Sequence, residues 1–455
     1  MIIPLLKSAS EFPFSNHFRI IPKTDGEVVL EKIKNDLMQN NVFLTGGAGV
    51  GKSFLTLALI DSLKKAGKRV VVLGSTGISS VHIGGQTIHS FFMFGISSTT
   101  KELAQIDRRN RKKLEELYES IEHCEYLIID EISMVSASLM EMIHERLIKG
   151  RFGGRVFCVG DFYQLPPIKK DKKENTLFRE PLFAFESLAW REFNFKTYIL
   201  NESKRTNDKK FFSFLEKIRV GIKDEEVLNY LIKLTQNSTV LKKSPTLLFG
   251  RNKEANFLNK EELLKLNSPL VKFVAQELFL ENSIDLKRYE SWKKSLPIEL
   301  NLELKIGSKV LFCANRWGSY INGEQGEVVE IEDEQIWVEK ENELVKVKRH
   351  SFSFEEVGLK DGELTSVAYA TLEQFPLKLA YAITIHKSQG MSIENLVCDI
   401  DNIFENSQFY VAISRAVKPT TLLLKSSKRD LLGHLQRIIR IDDRVEEFYN
   451  NLKRN

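Results

Sequence analysis

The sequence predicts an α/β protein of more than one folded unit, and three observations lead there. The first half alternates short β-branched or aromatic runs with helix-period segments, the pattern of a mostly parallel sheet flanked by helices. A second alternation of that kind begins near Phe183 and resumes at Leu377, after an interruption of closely spaced strands. The chain has 455 residues, room for roughly three units at about 150 residues each.

In the first unit the expected strands are Val42–Leu44, Val70–Leu73, Leu127–Ile129 and Val156–Val159. Each ends in polar or glycine residues, and open α/β sheets bind ligands beyond the carboxyl ends of their strands. The second unit takes Thr246–Phe249, then apolar runs at Leu379–Thr384, Leu396–Ile400 and Leu422–Leu424. Between them, Gly307 to Phe354 carries the runs SKVLFC, GEVVEIE, QIWVEK and ELVKVKR, joined by turn residues such as Asn322-Gly323 and Glu332-Asp333. That spacing suits a small antiparallel barrel inserted into the second unit.

Composition narrows the function classes. With 42% hydrophobic and 28% charged residues the chain has enough apolar side chains to fill several cores, which excludes an intrinsically disordered protein. No apolar run reaches the about 18 residues of a membrane span, and Met1–Ser10 lacks the basic lead and cleavage site of a signal peptide. The expectation is an intracellular, cytoplasmic protein with no membrane partner. Cys124, Cys158, Cys313 and Cys398 are far apart, which supports neither a disulfide framework nor a zinc ribbon. The net charge of +5 permits nucleic acid as a partner without demanding it. The basic clusters Arg108–Lys113 and Lys169–Lys173 read as solvated surface.

The most specific motif is Gly46-Gly47-Ala48-Gly49-Val50-Gly51-Lys52-Ser53, between an expected strand and an expected helix. Its glycines let backbone N–H groups wrap phosphates, Lys52 reaches the β/γ-phosphates, and the Ser53 hydroxyl suits Mg²⁺. Tyr126 to Glu131 is an apolar strand ending in two carboxylates. Asp130 is expected to hold Mg²⁺ through water, and Glu131 to orient and deprotonate the attacking water. After the next strand, Gly160-Asp161-Phe162-Tyr163-Gln164-Leu165-Pro166-Pro167 offers Gln164 as a γ-phosphate sensor on a stiff loop. Together these imply Mg²⁺-dependent nucleoside triphosphate hydrolysis.

With those residues in place the chain resembles the Pif (petite integration frequency) family of DNA helicases, superfamily one subfamily B, including relatives of the RecD and Dda type. The resemblance rests on GGAGVGKS at 46–53, STG at 75–77, GGQTIHSF at 84–91, IIDEISM at 128–134, FGG at 152–154, GDFYQLPP at 160–167, KRT at 204–206, GRNKEANFLN at 250–259, YAITIHKSQG at 381–390 and FYVAISRA at 409–416. It implies two RecA-like motor domains, the first at 1–180 with a small wedge subdomain at about 84–115, the second at 181–270 and 373–455. An inserted domain at 271–372 would carry a Src-homology-three-like β-barrel.

The resemblance also implies roles. ATP would lie between the motors, against Lys52, Ser53, Asp130, Glu131 and Gln164 of the first and Arg205, Gly390 and Arg415 of the second, the two arginines acting as fingers on the transferred phosphoryl group. Single-stranded DNA would cross Thr76, Thr87, His89, Ser90, Arg251, Asn315, His386 and Ser388, whose hydroxyls and imidazoles suit phosphates. Phe92 and Phe94, in the run Phe91-Phe92-Met93-Phe94-Gly95, are the expected wedge against a terminal base pair. Before the phosphate loop, Asp25 to Leu30 holds no Gln of the kind related helicases use to read adenine.

The expected function is therefore an ATP-dependent DNA helicase, moving 5′ to 3′ as the family does. It would act as a monomer on single strands and single/double-strand junctions, with RNA–DNA hybrids and G-quadruplexes as admissible substrates. Two rivals remain from the sequence: a DNA-stimulated ATPase that loads or remodels without unwinding, and a small-molecule P-loop kinase. The kinase leaves two separated arginine blocks and a second α/β unit unexplained.

Overall fold

Strands without polar alternation must be buried on both faces, and the first half of the chain meets that requirement with an all-parallel sheet. The computed structural model describes residues 23–95, 97, 99–108, 111–168, 180–281, 284–316, 318–341, 343–360 and 363–454. Strands β1 (Val42–Gly46), β2 (Val70–Gly74), β3 (Gln86–Thr87), β4 (Tyr126–Asp130), β5 (Arg155–Val159) and β6 (Lys196–Leu200) lie in the order β3-β2-β4-β5-β1-β6. Every adjacent pair is parallel. Helices Lys23–Leu37 and Lys52–Lys65 cover one face, packing Ile33, Leu37, Leu55 and Leu59 on Leu44 and Ile128. The other face packs on Met140, Ile143 and Trp190, and on Val445 and Tyr449 of the last helix, Asp443–Arg454.

The second unit opens with β7 (Thr246–Phe249) and is then interrupted. The interruption holds β8 (Val271–Val274), β9 (Gln276–Phe279), β10 (Asn301–Leu304), β11 (Lys309–Phe312), β12 (Gln325–Ile331), β13 (Ile336–Lys340), β14 (Glu343–Val347), β15 (His350–Lys360), β16 (Glu363–Gln374) and β17 (Leu377–Leu379). The unit closes with β18 (Ala382–Thr384), β19 (Leu396–Asp399) and β20 (Leu422–Lys425). Its parallel sheet runs β18-β7-β19-β20. The four strand-like runs between 307 and 354 become β11 to β14, in an antiparallel sheet ordered β14-β13-β12-β11-β17 with β14 and β17 as its edges. Beside it β15 and β16 form a long hairpin that β9 extends.

Three expected boundaries move. β6 pairs with β1 along its whole length, so the first unit runs on to Leu200 rather than stopping at 180. β17 pairs with β11, so the insertion extends to Leu379 rather than ending at 372. Residues 443–454, expected in the second unit, pack into the core of the first. The four cysteines are buried and unpaired, as their spacing suggested. Among the described residues no helix is long and apolar enough to cross a membrane. Met1–Ser10 and Lys169–Lys173 lie outside the described residues, and the Arg108–Lys113 cluster lies partly outside them.

Candidate active site

Sheet order delivers the chemistry to one place. β4, β5, β1 and β6 are consecutive neighbours, and their carboxyl ends lead into Asp130-Glu131, Gly160–Gln164, Gly46–Gly51 and Lys204-Arg205 respectively. The loop after β1 needs its glycines. Gly49 and Gly51 have φ of 76° and 95°, a left-handed region that side chains disfavour, and a Cβ at Gly49 would lie 2.6 Å from Arg205 Cβ. Helix Lys52–Lys65 then starts at Gly51 with no side-chain cap, leaving its first N–H groups toward the site. Lys52 Nζ donates to the carbonyls of Gly46 and Gly47 at 2.8 and 2.9 Å. Burial holds its pKa below the usual lysine value.

The two carboxylates sit at the end of β4. Asp130 is buried, and burial, then the neighbouring Glu131 charge, push its pKa up to about 8. Glu131 is also pushed up, chiefly by burial. It adopts φ 52° and ψ 50°, a strained setting for a non-glycine residue of the kind that clusters at working sites. Its carboxylate accepts a 3.0 Å hydrogen bond from Gln389 Nε2 of the second unit. Gln164 is buried, its amide 3.4 Å from Asp161 Oδ2. Asp161 receives both Nε and Nη2 of Arg219 at 2.9 Å.

Arg205 and Arg415 are neighbours, joined through Ser414. Arg205 lies on the segment after β6 rather than within the second sheet. Its Nε donates to Ser392 Oγ at 2.9 Å, its Nη1 to the Ser414 carbonyl at 2.7 Å and its Nη2 to the Gly390 carbonyl at 3.4 Å. Arg415 is 1% exposed and donates to the carbonyls of Val411 and Ser388 and to Ser414 Oγ. Burial lowers both guanidinium pKa values, to about 9 for Arg205, where Arg415 also repels, and to about 10 for Arg415. Two desolvated cations bound to neutral oxygens are well prepared to meet an anion.

The expected DNA contacts divide. Thr76, Thr87, His89 and Ser90 line one cleft of about 2180 Å³ between the first unit and the insertion, opposite Lys287, Arg288, Trp292 and His350. Thr76 and Thr87 cap short helices with their hydroxyls, while Arg288 Nη2 donates to the Ser90 carbonyl at 2.8 Å. Arg251 and His386 lie elsewhere, beside Phe404 and Glu405 of the second unit. Asn315 is in the insertion, where its side chain accepts from the Asn322 N–H.

Two expectations fail. Ser388 is fully buried and its hydroxyl donates to the Ile385 carbonyl, so it faces no track. Phe92 and Phe94 are 0% exposed, stacked on each other at 5.4 Å, with the Arg146 guanidinium 5.8 Å from the Phe94 ring and its Nε donating to the Phe92 carbonyl. They form a floor beneath His89, whose ring meets Phe94 edge-on, and present no aromatic tip to a base pair.

This geometry has relatives. The family described as PIF1-like helicase matches residues 23–227. The ATP-dependent DNA helicase Pif1 of Campylobacter jejuni is 45% identical over 433 residues, covering 92% of this chain and 97% of that protein. The chain belongs to the Pif1 helicase family. Among solved structures, Bacteroides Pif1 in complex with ADP-AlF4 matches with a TM-score of 0.80 and 27% identity, over 96% of this chain and 98% of that one. Bacteroides Pif1 bound to single-stranded DNA matches at 0.63 and 28%, over 94% and 97%. The α/β fold with RecA-like motors is thereby established for this Pif1-family chain. Asp161, Glu216, Arg219, Gln389, Tyr410 and Tyr449 went unassigned in the sequence. Asp161, Gln389 and Tyr410 stand inside recognised blocks, whereas Glu216, Arg219 and Tyr449 carry no local signal.

Proposed function

We propose that this chain is an ATP-dependent DNA helicase that moves 5′ to 3′ along single-stranded DNA and separates duplex ahead of it. The observation that carries the reading is that groups of the second unit meet the first unit's phosphate loop and catalytic carboxylate: Arg205, packed on Gly49, bonds Ser392 and the Ser414 carbonyl, and Gln389 bonds Glu131. A hydrolytic site completed only across a seam ties chemistry to the relative position of two bodies, which is what a motor requires.

In this reading Gly46 to Ser53 hold the triphosphate of ATP, and Arg205 and Arg415 neutralise charge on the transferred phosphoryl group. Glu131, steered by Gln389, orients and deprotonates the water, and Gln164 with Gly390 senses the terminal phosphate. Ser53 and Asp130 fit Mg²⁺: both offer hard oxygen donors, and burial beside the Glu131 charge makes the Asp130 carboxylate costly unless a cation compensates it. Bound there, Mg²⁺ would supply charge neutralisation between phosphate oxygens. The cleft lined by Thr76, Thr87, His89 and Ser90 is the first unit's share of the DNA track, with Arg251 and His386 the second unit's and Asn315 the insertion's. The acting species is a monomer inside the cell, and RNA–DNA hybrids and G-quadruplexes fall within its substrate range.

Strand displacement on 5′-tailed, 3′-tailed and blunt duplexes tests the reading. The 5′-tailed substrate alone should be opened, and only with hydrolysable ATP. ATP turnover stimulated by DNA with no strand displaced on any substrate would instead make the protein a loader.

A further inference from the structure

The phosphate loop is already occupied by protein. The Ala48 N–H, a backbone donor within the loop whose N–H groups cradle phosphates, donates to Tyr410 Oη at 2.7 Å. Tyr410 comes from the second unit, on helix Gln408–Ile413, which leads into Arg415. A second oxygen presses on the same spot: a Cβ at Gly47 would lie 2.2 Å from Glu216 Oε1 and 3.2 Å from Tyr410 Oη. Glu216 Oε1 is buried and has no hydrogen-bond partner among the described residues, although its other oxygen accepts from Arg219 at 3.0 Å. Lys52 meanwhile is bonded to the loop's own carbonyls. A phenol oxygen and a carboxylate oxygen, both carried by the second unit, therefore stand at the mouth of a loop built for phosphate oxygens.

We propose that Tyr410 and Glu216 are positioning residues that compete with the nucleotide's phosphates for the loop, so that nucleotide binding must displace a contact holding the two units together. This rests on the nucleotide-site reading above. Tyr410 is not mere packing, because its partner is a phosphate-loop N–H rather than a structural carbonyl. The unpaired Glu216 oxygen has the opposite preference to Tyr410's satisfied one: it gains nothing from the closed seam and opposes a second negative charge beside it.

The competition has a thermodynamic signature that packing lacks. If Tyr410 and the phosphates exclude each other from the loop, removing the Tyr410 hydroxyl destabilises the nucleotide-free protein and strengthens nucleotide binding by a related amount. Binding of Mg²⁺ with the non-hydrolysable analogue AMP-PNP is measured by calorimetry for the wild type, Tyr410→Phe, Glu216→Gln and Lys52→Ala, with melting temperatures taken with and without the analogue. Tyr410→Phe should bind about two- to tenfold more tightly, the worth of one net hydrogen bond. Its melting temperature should fall without the analogue and recover with it. Glu216→Gln should also bind more tightly, through lost repulsion. If Tyr410→Phe binds no better than wild type while Lys52→Ala is still impaired, the competition is overturned and the site stands. Unimpaired binding by Lys52→Ala overturns the site and the competition together.

Discussion

At the residue scale the Asp161–Arg219 pair decides how the sensor loop is held. Asp161 is 0% exposed, and burial alone would push its pKa up. The paired Arg219 guanidinium outweighs that and leaves it below the ordinary carboxylate value. A depressed carboxylate contributes stability that is present above its unfolded pKa near 4 and lost only as pH falls through the folded value. Between pH 5 and 9 the intact pair therefore adds no pH dependence. In Arg219→Ala the carboxylate stays buried with neutral donors and the more distant Lys52 charge but no guanidinium, its pKa rises, and ionising it costs stability as pH climbs. That variant should lose about 3–5 kcal/mol near neutral pH, and its melting temperature should be higher at pH 5 than at pH 8. A variant whose melting temperature tracks the wild type at both pH values would contradict the pairing.

The same scale shows why parts of the site were hidden in the sequence. Lys52, Asp130 and Glu131 are legible because their neighbours in the chain are also their neighbours in space. Arg219 meets Asp161 across 58 residues, and Tyr449 reaches Thr45 across 404. Nothing local encodes either contact.

At the element scale, strands buried on both faces announce themselves and edge elements do not. β1 and β4 are solid apolar runs, but β6 is a half-exposed edge strand with the sequence KTYIL, which is why the first unit looked twenty residues shorter than it is. The last helix reads as amphipathic, yet its partner core is chosen by long-range packing. Phe448 sets its ring against Phe43, Phe162 and Trp190, and Tyr449 Oη bonds both Thr45 Oγ1 at 2.6 Å and the Phe162 N–H at 3.2 Å. The chain thus leaves the first unit after β6 and returns to it at Asp443, so the second unit is tethered at both ends.

An apolar run likewise does not say whether it faces water. Phe92 and Phe94 looked able to split a base pair and turn out to be core. Each replaced by Ala should cost about 3–5 kcal/mol of stability, read by thermal or denaturant unfolding. The unwinding rate per folded molecule should fall only in step with DNA binding at the neighbouring His89. A selective loss of unwinding at unchanged stability would restore the wedge.

At the scale of the whole molecule, the two units with their parallel sheets meet at a seam that passes through the site. Gln389 meets Glu131, Tyr410 meets Ala48, and Arg205 lies over Gly49 with its guanidinium bonded to the second unit. The two-unit plan and the inserted antiparallel strands were legible because each sheet type has its own periodicity. The seam itself was visible only as blocks matching a known family, since apposition of two units is a tertiary fact that spacing along the chain does not carry.

The measurement that tests this account most directly is ATP turnover by Arg415→Ala, with single-stranded DNA binding followed on the same preparation. A finger removed from the second unit should slow DNA-stimulated turnover by about 10³-fold or more, while affinity for single-stranded DNA stays within about twofold of the wild type, a shift of under 0.5 kcal/mol. Turnover within about threefold of the wild type, a change of less than 1 kcal/mol in the barrier, would mean that the second unit does not complete the site, and the motor described here would have no stroke.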